Sequence, residues 1–75
     1  MRLTMDEVIQ DLAIGTEPEV VQNRFGGGSI ELSPVEVAVY DWIMGSEMFG
    51  KYENVRLGCD WFRKNNPEAY MILLD

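Results

Sequence analysis

The sequence predicts an all-α protein, a small bundle of four to five short helices arranged around a central helical hairpin. Two helix starts are marked by Ser33 and Asn66, capping residues that are each followed by proline, which favours the first helical position. Apolar residues recur three and four positions apart, as on one face of a helix. The 75 residues are enough for a single domain, 1–75.

Residues 1–25 are predicted to form an N-terminal helical pair. Thr4 and Glu7 have the spacing of a capping box. The apolar stripe that follows consists of Met5, Val8, Ile9, Leu12 and Ala13. Gly15 is the type of residue that closes a helix. The segment after Thr16 indicates a second, short helix, which carries Val20, Val21 and Phe25.

Residues 26–32 are predicted to form a glycine-rich link between the two halves of the chain. The run Gly26-Gly27-Gly28-Ser29 ends the preceding helix and is typical of a flexible connection. Residues 29–32 also fit an extended conformation in which Ile30 and Leu32 face the same way. Four residues are too few to predict a strand.

Residues 33–75 are predicted to form the helical hairpin and a short C-terminal helix. The first helix begins at Pro34 and is apolar on two sides, so it is either central in its domain or covered by a partner. One stripe consists of Val35, Ala38, Val39, Trp42 and Ile43; the other consists of Val37, Tyr40, Met44 and Met48.

Two alternatives remain open in this second half. We expect a break at Gly45-Ser46, after which helix resumes to about residue 65, but one continuous helix over 34–65 keeps the same apolar seam in phase. Such a rod would be about 48 Å long, too long for a monomer of this size to cover. Residues 69–74 are expected to be helical, with a strand over 70–74 as the alternative.

Composition restricts the class of protein. The net charge is −7, and the surplus of acids lies within residues 1–50. This charge disfavours binding to nucleic acid or to anionic membranes. No apolar run is long enough for a membrane span or a secretion signal. The single cysteine, Cys59, indicates a reducing compartment, so we expect a cytoplasmic protein.

The sequence offers no catalytic residue, and we expect no enzyme, no cofactor and no metal site. Histidine is absent, so no serine or threonine has an obvious base to activate it. One thiol with carboxylates is an improbable zinc site. Cys59 lies on the apolar seam between Val55 and Phe62, where we expect a small buried hydrophobic side chain.

Three segments resemble short uncharacterised proteins encoded by marine bacteriophages. They are LSPVE (32–36), YDWIMGSE (40–47) and WFRKNNPEAY (61–70), and the resemblance covers residues 32–75. That group has no assigned activity to carry over. The resemblance implies a small phage product that acts in the cytoplasm of a bacterial host.

We therefore expect a small acidic protein-interaction module, acting as a homodimer or by binding a host protein. A chain this short gains little net stability from its own core, and association supplements it. The predicted interface, with Trp42 inside the domain, consists of Val37, Tyr40, Met44 and Met48. The alternative function is inhibition of a nucleic-acid-binding host protein, with the acidic N-terminal half imitating nucleic acid.

Overall fold

A computed structural model describes residues 3–75 of the chain. The order of elements is α1 (Met5–Asp11), β1 (Glu19–Gln22), β2 (Ser29–Leu32), α2 (Pro34–Met48), α3 (Tyr52–Asn65), α4 (Pro67–Ala69) and a π-helix (Tyr70–Leu74). The first two residues of the predicted N-terminal helical pair lie outside the described part. The chain is mostly helical, as predicted, but it also contains an antiparallel β-hairpin, so the all-α class is wrong for residues 19–32.

Helix α1 begins where the sequence predicts. The Thr4 side chain accepts a hydrogen bond from the backbone N–H of Glu7, and the Thr4 hydroxyl donates to the Glu7 carboxylate. The helix ends at Asp11, earlier than the predicted stop at Gly15, because Leu12 has an extended backbone. Leu12 packs against the core from this position.

The predicted second N-terminal helix and the glycine-rich link are replaced by the β-hairpin. Strands β1 and β2 pair from Glu19 with Leu32 to Gln22 with Ser29. The turn between them is closed by the Asn23 N–H, which donates to the Gly28 carbonyl at 2.9 Å. Gly26, Gly27 and Gly28 all have positive φ, which this turn requires and glycine permits.

Strand pairing is favoured at this point because it buries apolar side chains that a short helix would leave exposed. Leu32 is fully buried in the core, while Val21 and Ile30 pair across the hairpin and pack against that core. β-branched valines also fit a pleated strand better than a helix. The extended conformation considered for residues 29–32 is therefore present, with a partner that lies earlier in the chain.

Helices α2 and α3 form the predicted helical hairpin, but the break lies at residues 49–51 and not at Gly45-Ser46. Helix α2 continues through Gly45 and ends at Met48, and Gly50 has φ 73°. Left-handed backbone of this kind ends helices and favours glycine. The alternative of one helix over 34–65 is excluded.

The C-terminal segment is helical, so the strand over 70–74 is excluded. Asn66 caps α4 through its side-chain oxygen, which accepts from the Ala69 N–H at 3.2 Å. The chain then widens into a π-helix, in which the Asp75 N–H donates to the Tyr70 carbonyl. This segment packs back against α3 and β2 and buries Leu73.

The core lies where α2 and α3 face one another, closed by α1, β2 and the C-terminal segment. Its buried apolar residues are Met5, Val8, Leu32, Val39, Tyr40, Ile43, Phe62, Ala69 and Leu73. Gly58 of α3 allows the closest approach of the two long helices, beside Ile43. Within residues 3–75, none of the helices has the length and apolar character that crossing a membrane requires.

Candidate interaction surface

The protein's own chain covers helix α2 along most of its length. Between Pro34 and Glu47, Asp41 is the single exposed residue. The helix is in contact with α1, both strands and α3. Of the two explanations for its apolar circumference, a central position in the domain is therefore the correct one for this stretch.

The four residues of the predicted interface do not form one surface. Tyr40 is 8% exposed and belongs to the core, so it cannot contact a partner in this conformation. Met44 is half-buried against the core, as is Trp42, which was expected inside. Val37 is half-buried in the first half of α2, about three helical turns from Met48. Met48 alone is freely accessible.

Within residues 3–75, three of the eight large hydrophobic side chains that are exposed lie at the closed end of the helical hairpin. Met48 is 81% exposed, Phe49 77% and Tyr52 68%, and these three residues span the turn from α2 to α3. Phe25, at the tip of the β-hairpin, is 85% exposed. We call Phe25, Met48, Phe49 and Tyr52 together the corner surface.

An ion pair brings the tip of the β-hairpin to this end of the helices. The Arg24 guanidinium donates to the Glu47 carboxylate, and it also lies 4.8 Å from the centroid of the Phe25 ring. Arg24 therefore lies between Phe25 and the last turn of α2.

The backbone under the corner surface is held by a Schellman motif. The Lys51 N–H donates to the Ser46 carbonyl at 2.8 Å, and the Gly50 N–H donates to the Glu47 carbonyl at 3.1 Å. These are the two bonds that define the motif, with Gly50 as its left-handed residue. The apolar side chains of the turn are thus presented on an ordered backbone.

The base of the β-hairpin turn is fixed as well. The Asn23 side-chain oxygen accepts from the Phe25 N–H at 2.8 Å, and its amide nitrogen donates to the Ile72 carbonyl at 2.7 Å. One half-buried side chain therefore orders the turn and ties it to the C-terminal segment. Phe25 is exposed on a loop whose start is anchored.

A second feature is a shallow acidic depression beside the first half of α2. It has a volume of about 190 Å³, with an apolar floor that includes Pro34, Val37 and Ala38. The carboxylates of Glu17, Glu19 and Asp41 lie at its rim. Within residues 3–75, no lysine or arginine lines this depression. Val37, from the predicted interface, therefore lies beside a negatively charged depression and not beside Met48.

The residues whose side chains could take part in chemistry are buried or hydrogen-bonded within the fold. Burial raises the pKa of the Cys59 thiol, which favours the less reactive neutral form. The Arg63 guanidinium donates to the Tyr70 hydroxyl at 3.1 Å and pairs with Asp60. Ser46 is buried and accepts a long hydrogen bond from the Asn54 amide. Among residues 3–75, no three cysteine or carboxylate side chains are placed to hold a metal ion.

The sequence contains a signal for the corner surface, but it is easily read as helix. Met48 and Phe49 directly precede Gly50, and an apolar pair before a helix-ending glycine is exposed unless another segment covers it. The predicted break at Gly45-Ser46 lies five residues before Gly50 and keeps Met48 on a continuous apolar seam. Phe25 was missed because it was assigned to a helix.

Comparison with known proteins adds no relative: no family model, no curated protein and no solved structure matches this chain.

Proposed function

We propose that this chain is a small acidic protein-interaction module that binds through the corner surface, either to another copy of itself or to a protein of a bacterial host. The observation that carries the proposal is the concentration of exposed Met48, Phe49 and Tyr52 at one ordered turn. Aromatic residues and methionine are enriched in the centres of protein interfaces.

The energetics of exposure support this assignment. A contiguous apolar patch on a small protein marks an interaction site more often than scattered apolar residues do. Because the Schellman motif and the Asn23 contacts already order the backbone, binding loses less conformational entropy than it would at a flexible loop. The resemblance of residues 32–75 to marine phage proteins supports a phage product that works in the host cytoplasm.

The test is selective retention by the corner surface. Wild-type protein, Phe49→Lys and Val20→Lys are immobilised at equal density and incubated with bacterial lysate containing added soluble wild-type chain. Val20→Lys is the matched control, because Val20 is exposed, lies opposite Glu31 and gains the same charge. We expect proteins, including this chain, that bind wild type and the control but not Phe49→Lys. Equal retention by all three would contradict the proposal.

A second candidate function is mimicry of nucleic acid, directed at a basic host protein. The observation that favours it is the acidic depression, where Glu17, Glu19 and Asp41 surround an apolar floor. Such a surface attracts basic proteins over a range that salt shortens.

Salt dependence separates the two candidates. Mimicry predicts capture of a basic, nucleic-acid-binding protein that is lost when sodium chloride is raised from about 0.05 to 0.5 M. It also predicts that a Glu17→Gln, Glu19→Gln double variant captures less of that protein, while Phe49→Lys captures it normally. Capture that resists salt or depends on Phe49 contradicts mimicry.

A further inference from the structure

We infer that the partner of the corner surface is a second copy of the same chain, related by a twofold axis; this inference rests on the proposed function. In a twofold contact each copy presents the same patch, so the patch must be complementary to itself. The balanced charge of the corner surface meets that requirement, and its exposed area is large enough for a weak dimer.

The charge around the corner surface is balanced. Its neighbours along the chain are two bases, Arg24 and Lys51, and two acids, Glu47 and Glu53. The remaining eleven of the thirteen acids and four of the six bases therefore carry the whole net charge of −7. Two copies can meet at this end without net charge in the contact, because Arg24 already pairs with Glu47 within each chain. The acidic depression then lies away from the contact, beside the first half of α2.

A partner of different charge would fit this end less well. A strongly basic protein is attracted to the acidic surplus, which lies elsewhere, and a strongly acidic protein is repelled by the molecule as a whole. A second copy is itself acidic, but it presents a neutral patch of its own. The balance of charges at the corner therefore favours self-association over either alternative.

The area is sufficient for a weak but specific dimer. Aromatic side chains bury about 150–250 Å² each, so a contact that covers all the exposed surface of Phe25, Phe49 and Tyr52 buries roughly 350–580 Å² of it per copy. With Met48, two copies exceed the roughly 1,000 Å² total that separates specific interfaces from incidental contacts. Buried area does not by itself set affinity. For a contact this small we expect weak association, with a dissociation constant of about 1–100 µM.

The dimer is tested by sedimentation equilibrium of purified full-length chain from about 1 µM to about 1 mM. Wild type should change from the 8.6 kDa chain mass to twice that mass across the series. Phe49→Lys should raise the dissociation constant at least about tenfold, because truncating or charging a central aromatic residue removes a dominant contact. Val20→Lys, with the same added charge, should stay within about twofold of wild type.

A second corner variant and a salt series make the test independent of one substitution. Met48→Lys should weaken the dimer in the same direction, and circular dichroism should show the same helix content in every variant. Since two acidic molecules repel each other outside a neutral contact, the wild-type dimer should tighten as salt rises.

Three results would overturn the inference: a wild-type monomer throughout the series, equal weakening by Val20→Lys, or weakening of the dimer by salt. These failures are distinct from failure of the proposed function. If the wild-type chain stays monomeric but still retains a host protein through Phe49, the twofold dimer is excluded and the proposed interaction module stands. Loss of both activities removes both.

Discussion

The carboxylate of Glu36 joins two helix starts through the side chain of Asn66. Its Oε1 accepts from the Ser33 backbone N–H at 2.8 Å, which completes the capping box of α2. Its Oε2 accepts from the Asn66 amide at 3.0 Å, while the Asn66 oxygen caps α4. The beginning of α2 is thus connected to the junction at Asn66 between α3 and the C-terminal segment.

Replacing Glu36 should therefore destabilise more than the start of one helix. Glu36→Gln keeps an acceptor for the Ser33 N–H but has only a donor where the Asn66 amide needs an acceptor. We expect it to lower the free energy of unfolding by about 0.5–1.5 kcal/mol, and Glu36→Ala by about 1–2 kcal/mol. Urea unfolding measures both. Glu31→Gln, an exposed change in β2, is the control.

A double-mutant cycle checks the connection itself. If Glu36 and Asn66 interact, the loss in Glu36→Gln, Asn66→Ala is smaller than the sum of the two single losses by about 0.5 kcal/mol or more. Additive losses would mean that the hydrogen bond contributes nothing measurable.

The close contact of Gly58 with Ile43 predicts that even alanine is too large at position 58. A Cβ atom there would lie 2.3 Å from Ile43 Cγ1 and 2.7 Å from Ile43 Cδ1, and Ile43 is fully buried. Overpacking in Gly58→Ala should cost about 1–3 kcal/mol before alanine's better helix propensity is counted, and the net change should be destabilising. This loss should exceed the roughly 1 kcal/mol that alanine contributes to helix propensity.

Gly45→Ala is the matched control for Gly58→Ala, because Gly45 also lies inside a long helix but has open space at its Cβ position. We expect it to raise the free energy of unfolding by up to about 1 kcal/mol. Equal effects of the two substitutions in urea unfolding would disprove the close packing of α2 on α3.

The left-handed backbone at Gly50 predicts a different cost. A Cβ atom at position 50 would contact no other atom of residues 3–75, but alanine would have to adopt the left-handed φ of 73°. The expected loss is about 1–2 kcal/mol, and Gly50→Asn should lose less because asparagine tolerates this conformation. Thermal unfolding of the two variants ranks them. A Gly50→Ala variant as stable as wild type would place the helix break elsewhere.

Because of Cys59, the free energy of unfolding should depend on pH in the alkaline range. Burial raises the pKa of its thiol; Asp60 and Glu47 add to the effect and Arg63 opposes it. The folded state therefore keeps the proton at a pH where the unfolded state loses it. This stabilisation is complete below the unfolded thiol pKa of about 8.5 and is lost as pH rises through the folded pKa.

The measurement is the urea midpoint of wild type and Cys59→Ala between pH 7 and pH 10, a range that spans the thiol titration. Wild type should lose stability with pH more steeply than the variant, whatever their absolute values. Iodoacetamide should also modify Cys59 in the folded protein more slowly than in urea. Parallel pH profiles would contradict the effect of burial on the thiol.

Local signals predicted the helical part of the fold well. The caps at Thr4, Ser33 and Asn66 each begin a helix in the structure, because a capping side chain and its backbone partner are three residues apart. The β-hairpin was not predictable in this way. Its strands are four residues long, and what stabilises them is pairing with each other and burial of Leu32, which no short window of sequence reveals.

The exposed apolar surface lies at a different place from the predicted interface of Val37, Tyr40, Met44 and Met48. The apolar excess of residues 35–49 is real, yet most of it is covered by α1, the strands and α3. Whether an apolar stripe of α2 is covered depends on where α3 packs against it, and the position of α3 depends on the turn at Gly50. With the break predicted at Gly45, Met48 and Tyr52 belong to one apolar seam. With the observed break at Gly50, both side chains are exposed.

The most direct test of the corner surface is a dilution series followed by amide nuclear magnetic resonance, from about 1 mM to about 10 µM. Self-association through the corner surface should give concentration-dependent shifts at the amides of Phe25, Met48, Phe49 and Tyr52, with Val37 and Asp41 unchanged. Spectra that do not change with concentration, or shifts centred on Val37 and Met44, would contradict it.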